Sequence, residues 1–207
     1  MALSKIQSES INLADTFAFT GTVSGTNDTQ GLVAISRSQS GSAVSQVLFD
    51  NLSTDYDTFV FYITYMHPVT DNVQPRVRFL NSSGSQISGT GNYGAESQTH
   101  TNGQNGANSM DHMIIAPANM GNNSYEGFQG VLTLSNRNYA SGQTYKVPPA
   151  IFGHLSTSDG ANNQNGVNFA GALDNSAQQA IRGIKFYFSS GNIDAHDISC
   201  YGVVRPS

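Results

Sequence analysis

From Ile181 onward the chain alternates apolar and polar side chains: Ile184, Phe186 and Phe188 fall on one side of an extended segment, Lys185, Tyr187 and Ser189 on the other. Period-two alternation in a run of β-formers predicts a half-buried strand. Ser189-Ser190-Gly191-Asn192 is turn chemistry, because Gly and Asn tolerate positive φ and Ser bonds back to the backbone. Beyond it Ile198 and Cys200 alternate with Ser199, Tyr201 and Val203. The spacing predicts a hairpin-like terminal pair that buries its apolar face against the rest of the chain.

The same pattern recurs upstream, at Phe17 and Phe19, at Leu32, Val33 and Ile35, and at Val44, Val47 and Phe49. Asp57 to Met66 is the longest candidate, with Phe59, Phe61, Ile63 and Tyr65 on one face and Pro68 ending it, since proline has no N–H for a ladder. Val77 and Phe79 face inward between Arg76 and Arg78, and Asn81-Ser82-Ser83-Gly84 closes that strand with a turn. Met113 to Ile115, Leu132 with Leu134, and Tyr145 to Leu155 continue the series, the last interrupted by Pro148-Pro149. Residues 88–109 and 159–171 are rich in Gly, Asn, Gln and Ser and read as two long polar loops. Only Asp174 to Arg182 has helical character. About ten short strands with turn signals between them, no internal repeat and no linker predict one all-β domain, an antiparallel sandwich or barrel over 16–207. Residues 1–15 form a short lead in which Leu3, Ile6, Ile11 and Leu13 are spaced by polar residues. It reads equally as an arm that docks on another protein or as a frayed terminus or edge strand.

Composition sharpens this picture. Hydrophobic residues at 38% of 207 suffice for one core, while charged residues are only 11% against about 25% in typical domains. Small polar residues replace the charges, and 9 Tyr and 11 Phe argue against disorder. A formal charge of −5 leaves no basic stripe and disfavours nucleic acid as a partner. The single Cys200 has no internal partner and reads as core. With no spanning helix and no apolar leader, the expectation is a soluble product of a reducing cytoplasm, without membrane insertion.

Candidate chemistry is sparse. Asp194, His196 and Asp197 form a D-x-H-D cluster that could supply metal ligands, although in a turn between strands such residues are ordinarily solvated. Asp111-His112 would point to opposite faces if extended. No G-x-S-x-G, H-E-x-x-H or G-x-x-x-x-G-K-[ST] sequence occurs. No cofactor or catalytic residue emerges, so the expected class is non-enzymatic, with a polysaccharide-degrading enzyme as the last-ranked alternative, because sequence spacing does not reveal a carboxylate pair. Asn102, Asn105 and Asn108 in one polar loop, and Asn162, Asn163 and Asn165 in the other, are candidate receptor contacts, because amides bond sugar hydroxyls without burying a charge. The plainer reading of the same residues is ordinary turns and surface loops.

The terminal stretch FYFSSGNIDAHDISCYGVV resembles a closing motif, rFxFSSGNIxxGxIxLYGI, of virion proteins of tailed bacteriophages, including phages of marine bacteria. Phe186, Phe188, Ser189, Ser190, Gly191, Asn192, Ile193, Ile198, Tyr201 and Gly202 match it, and His196 stands where the pattern has Gly. LFDNLSTDYDTFVFYITYMHPVTDNVQPRVRFLNSSGSQI is similar to the family's F-x-N-[IL]-x-S-x-Y strand and the P-x-T-D … R-F-x-x-S-S-G hairpin after it. GVLTLSNRNYAS resembles G-x-L-x-L-x-N-P with Arg137 in place of proline, and the opening MALSKIQSESINLADTFAFTGTV also resembles such proteins. The resemblance implies an antiparallel jelly-roll β-sandwich that assembles as a symmetric homo-oligomer on a virion. The roles it suggests are capsid decoration or head fibre, attached to other virion proteins through Leu3, Ile6, Ile11 and Leu13, or tail fibre contacting host surface glycan. It carries over no catalytic or ligand residue.

Overall fold

The computed structural model describes residues 31–99, 104–116, 119–136, 147–159, 161, 163–174, 179 and 181–204. The lead with Leu3, Ile6, Ile11 and Leu13, the Phe17–Phe19 strand, and Asn102 and Asn162 lie outside them. The described residues form twelve strands and no helix: β1 (Gly31–Ser40), β2 (Val47–Phe49), β3 (Thr58–Pro68), β4 (Pro75–Asn81), β5 (Tyr93–Thr99), β6 (Gln104–Met110), β7 (Met113–Ile114), β8 (Gly127–Ser135), β9 (Ala150–Ser158), β10 (Gln164–Leu173), β11 (Ile181–Phe188) and β12 (Ile193–Val204). They build two antiparallel sheets. The larger has eight strands in the order β1-β12-β3-β8-β9-β10-β5-β6, the smaller four in the order β2-β11-β4-β7.

The core fills the space between the sheets. From the small sheet Phe49 and Phe186, and from the large one Phe61, form a ring triangle with edge-to-face contacts of 5.3, 5.7 and 6.2 Å between centroids. Phe128 of β8 meets Phe188 of β11 at 6.4 Å. Such offset aromatic pairs add to the area term of burial. Tyr93 is fully buried yet polar, and its hydroxyl donates to the Ile87 carbonyl and accepts the Phe79 N–H, each at 2.9 Å.

Four sequence expectations change. The terminal pair is not a hairpin, because β11 lies in the small sheet and β12 in the large one. Ile184 and Phe186 on one strand, Ile198 and Cys200 on the other, are buried in one cluster, so the apolar faces meet between layers. The 189–192 connection arches across, with Gly191 at φ 71° and so close to Thr70 that a Cβ would strike the threonine hydroxyl. Gly202 is also constrained, since a Cβ there would sit 2.6 Å from the Tyr56 ring.

The segments read as polar loops are largely strands: β5 pairs with β6, and β10 lies between β9 and β5. Ladder bonds on both sides hold β5 and β10, and β10 also buries Val167, Phe169 and Leu173 in the core. Tyr65 does not share the face of Phe59, Phe61 and Ile63, because the register shifts between Ile63 and Met66. Met66 takes the buried position and Tyr65 is exposed. Ile181 and Arg182 open β11 where helical character was expected.

Candidate functional site: the outer face of the large sheet

Register fixes what the large sheet shows to its outside. Tyr201 pairs with Val60, Val60 with Thr133, Thr133 with Phe152, Phe152 with Ala170, and Ala170 with Glu96. The neighbouring row runs from Ser199 through Tyr62, Val131, His154 and Asn168 to Gln98. Alternation sends both rows away from the core, whose inward members on these strands include Phe61, Leu132, Ile151 and Phe169.

Phe152 stands 49% exposed on this face, and Tyr62 is exposed beside Tyr201, their rings edge-to-face at 5.5 Å. On one side of Phe152 a shallow depression of about 500 Å³ is floored by small residues, Gly94, Gly106, Ala150, Ala170 and Ala172. A second, of about 420 Å³, lies over Val131, Thr133, His154, Asn168 and Gln98. His154 Nδ1–H donates to Asn168 Oδ1 at 2.6 Å. An exposed ring beside amide, hydroxyl and imidazole groups suits a neutral, hydroxylated or mixed surface.

The sequence-predicted residues divide. Asn108 lies on β6 at the rim of the first depression, its amide oxygen 3.0 Å from where a Gly94 Cβ would be. Asn105 lies on the same strand. Asn163 is an exposed turn residue whose N–H donates to Asp159 Oδ1 at 2.9 Å. Asn165 is no surface contact: it is buried in β10 with its amide directed to Asp159.

Asp194, His196 and Asp197 are not in a turn but on β12, with register shifts on either side of the segment. The strand sends them apart. Asp194 lies 3.5 Å from His67 Nδ1, buried His196 meets Ser38 Oγ at 2.8 Å, and Asp197 accepts two bonds from Arg37 at 2.8 and 2.6 Å. Among the described residues no group of three or more His, Cys, Asp or Glu is placed to hold a metal ion. Asp111 and His112 do meet, His112 Nδ1 and Arg78 both contacting the Asp111 carboxylate, because the chain bends there instead of extending. Cys200 is 1% exposed, and burial pushes its thiol up to about 12.

A cleft of about 470 Å³ beside β8 holds His67, Glu126 and Asp194. His67 Nε2–H donates to the Asn123 carbonyl at 2.8 Å, and Glu126 accepts the Asn123 N–H at 2.7 Å while packing over Gly121. These contacts tie the 121–126 turn to β3, which gives the two residues a local structural task.

Acid sensitivity follows from this geometry. The Arg37 hydrogen bond and charge hold the Asp197 carboxyl below the usual range. Burial would raise Asp159, but bonds from Asn163 and Ala161 N–H groups outweigh it. Burial lowers His196, opposed by Asp197. Depressed folded-state values add stability above the unfolded values and lose it as pH falls through the folded ones. Melting temperature should therefore begin to fall below about pH 6.5 and fall again below about pH 4. Asp197→Asn should flatten the acidic limb in a pH series of thermal melts; an unchanged limb would remove the Arg37–Asp197 pair from the account.

Comparison with protein-family models, with curated proteins and with solved structures found no match to this chain.

Proposed function

We propose that this chain is a non-enzymatic structural protein of a bacteriophage particle, a jelly-roll block of the capsid-decoration or head-fibre kind. Its lead segment holds it to other virion proteins, and it assembles with copies of itself. The observation that carries this reading is the outer face of the large sheet, which presents Phe152, Tyr62 and Tyr201 on a rigid framework of paired strands. Large apolar side chains grouped on a rigid face favour contact with another surface. The motif resemblance over β11 and β12 adds the virion setting. Locating the protein on purified particles by cryo-electron microscopy tests the proposal, and deletion of residues 2–13 should abolish its incorporation while the domain still melts cooperatively. Full occupancy after deletion would remove the anchoring role.

A second reading has its own observation: Phe152 flanked by His154, Asn168 and Gln98 is a ring with amide and imidazole neighbours, a combination that suits a host surface glycan. Here the glycan would lie on the sheet face, to which β5 and β10 of the segments read as polar loops contribute Gln98 and Asn168. Phe152→Ala should weaken the contact that covers this face by about thirtyfold, as for a central aromatic anchor. Sedimentation of the purified protein reads the loss if copies cover the face, and a glycan array reads it if sugar does. No change in either measurement would reject the face as the working surface.

A further inference from the structure

The outer face of the small sheet is chemically unlike that of the large one. Arg76 and Arg78 lie two apart on β4, and β11 places Tyr187 opposite Arg76 and Lys185 opposite Arg78. Lys185 is only 9% exposed, with its ammonium 3.1 Å from Gln86 Oε1 and 4.5 Å from the Tyr187 ring centroid. Arg78 also stacks on that ring, at 5.3 Å. Its charge is answered by Asp111, which His112 contacts too. Arg76 and Lys185 have no ion pair among the described residues.

This arrangement opposes folding in two ways. Like charges directly opposed across a sheet repel, and a buried ammonium without a counter-charge is costly. Burial, and then Arg78, lowers the affinity of Lys185 for its proton. Two donor groups of the cluster, Arg76 Nε–H and Tyr187 O–H, are buried with no hydrogen-bond partner among the described residues, as is His112 Nε2. Unpaired buried donors are rare and call for an explanation. Cations that repel and donors without acceptors, together on one half-buried face, are both relieved by the same thing: an anion with several oxygens.

We infer that the outer face of the small sheet is an oxyanion site, in which Arg76, Lys185 and Tyr187 bind a phosphate or sulfate group. Guanidinium, ammonium and phenol donors set on two strands suit a tetrahedral anion better than a flat carboxylate. Arg78 is already engaged, with three of its N–H groups bonded to Asp111 and Gln86, and is left out of the proposed contacts. The group is either the free ion or an ester on a saccharide. This inference is independent of whether the large sheet binds copies or glycan.

The experiment is a thermal-melt titration of the full chain with inorganic phosphate and with sulfate, ionic strength being matched with chloride, alongside a sulfated and an unsulfated oligosaccharide. The expected result is a saturable rise in melting temperature with the oxyanions and none with chloride. The apparent affinity should drop at least about tenfold in Arg76→Gln and in Lys185→Gln, as when a charge-assisted hydrogen bond is lost. Response to the sulfated sugar alone supports the site with an ester as its source. No saturable response to any of the anions, or an equal response in both variants, overturns it. Should the variants fail to fold, nuclear magnetic resonance of the wild-type chain decides: the Arg76 Nε–H signal shifts on adding phosphate if the site is real and stays fixed if it is not.

Discussion

Phe186→Ala should lower the free energy of unfolding by about 3–5 kcal/mol, the cost of a large-to-small change in a core. Phe186 is fully buried on the inner strand of the small sheet, and its ring touches those of Phe49 and Phe61 edge-on. Removing it opens a void at the point where the two layers meet, and neither neighbouring ring can fill it without giving up its contact with the other. Chemical denaturation reads the loss as a lower midpoint with the slope retained. A near-neutral result would mean that the ring triangle does not hold the layers together.

Tyr93→Phe removes one oxygen and should nevertheless cost about 1–3 kcal/mol for each backbone group it leaves unpaired. The hydroxyl serves two such groups, the Phe79 N–H and the Ile87 carbonyl, at the same distance of 2.9 Å. It thereby ties β5 of the large sheet to β4 of the small one at a place where the chain would otherwise bury two polar atoms without partners. Tyr93→Leu should be no better, since it loses ring packing on Phe79 as well. The same denaturation measurement checks both variants, and wild-type stability in Tyr93→Phe would show that water replaces the hydroxyl.

How far the fold can be read from the sequence depends on how each strand is held. β3, β4, β11 and β12 bury one face, and the alternation of Phe59 and Phe61, Val77 and Phe79, Ile184 and Phe186, Ile198 and Cys200 reveals them. β5 and β6 are rich in Gly, Ala, Ser, Asn and Gln, and are held largely by their neighbours' ladders. In β5 and β6 no local signal separates strand from loop, whereas β10 alternates Val167, Phe169 and Leu173 into the core and is open to the same reading as β3.

The layer change after Phe188 was hidden for a related reason: a turn sequence records that the chain reverses, and it does not record which sheet receives it. Both candidate surfaces were beyond reach because they are made by register. Phe152 meets Ala170, and Lys185 meets Arg78, only after strands distant in sequence are laid side by side. The Asp194, His196 and Asp197 cluster shows the converse, adjacent residues that a strand with register shifts turns towards unrelated partners.

The position of β12 between β1 and β3 sets an order of events in synthesis. Among the described residues the first strand of the large sheet has no ladder except to Ile193–Val204, so it has nothing to hold until that segment leaves the ribosome. Until then β3 carries an open hydrogen-bonding edge, which is the kind of edge through which nascent chains join one another. A chain stopped at Phe188 is therefore expected to aggregate, and high yield will depend on how quickly Ile193–Val204 follows.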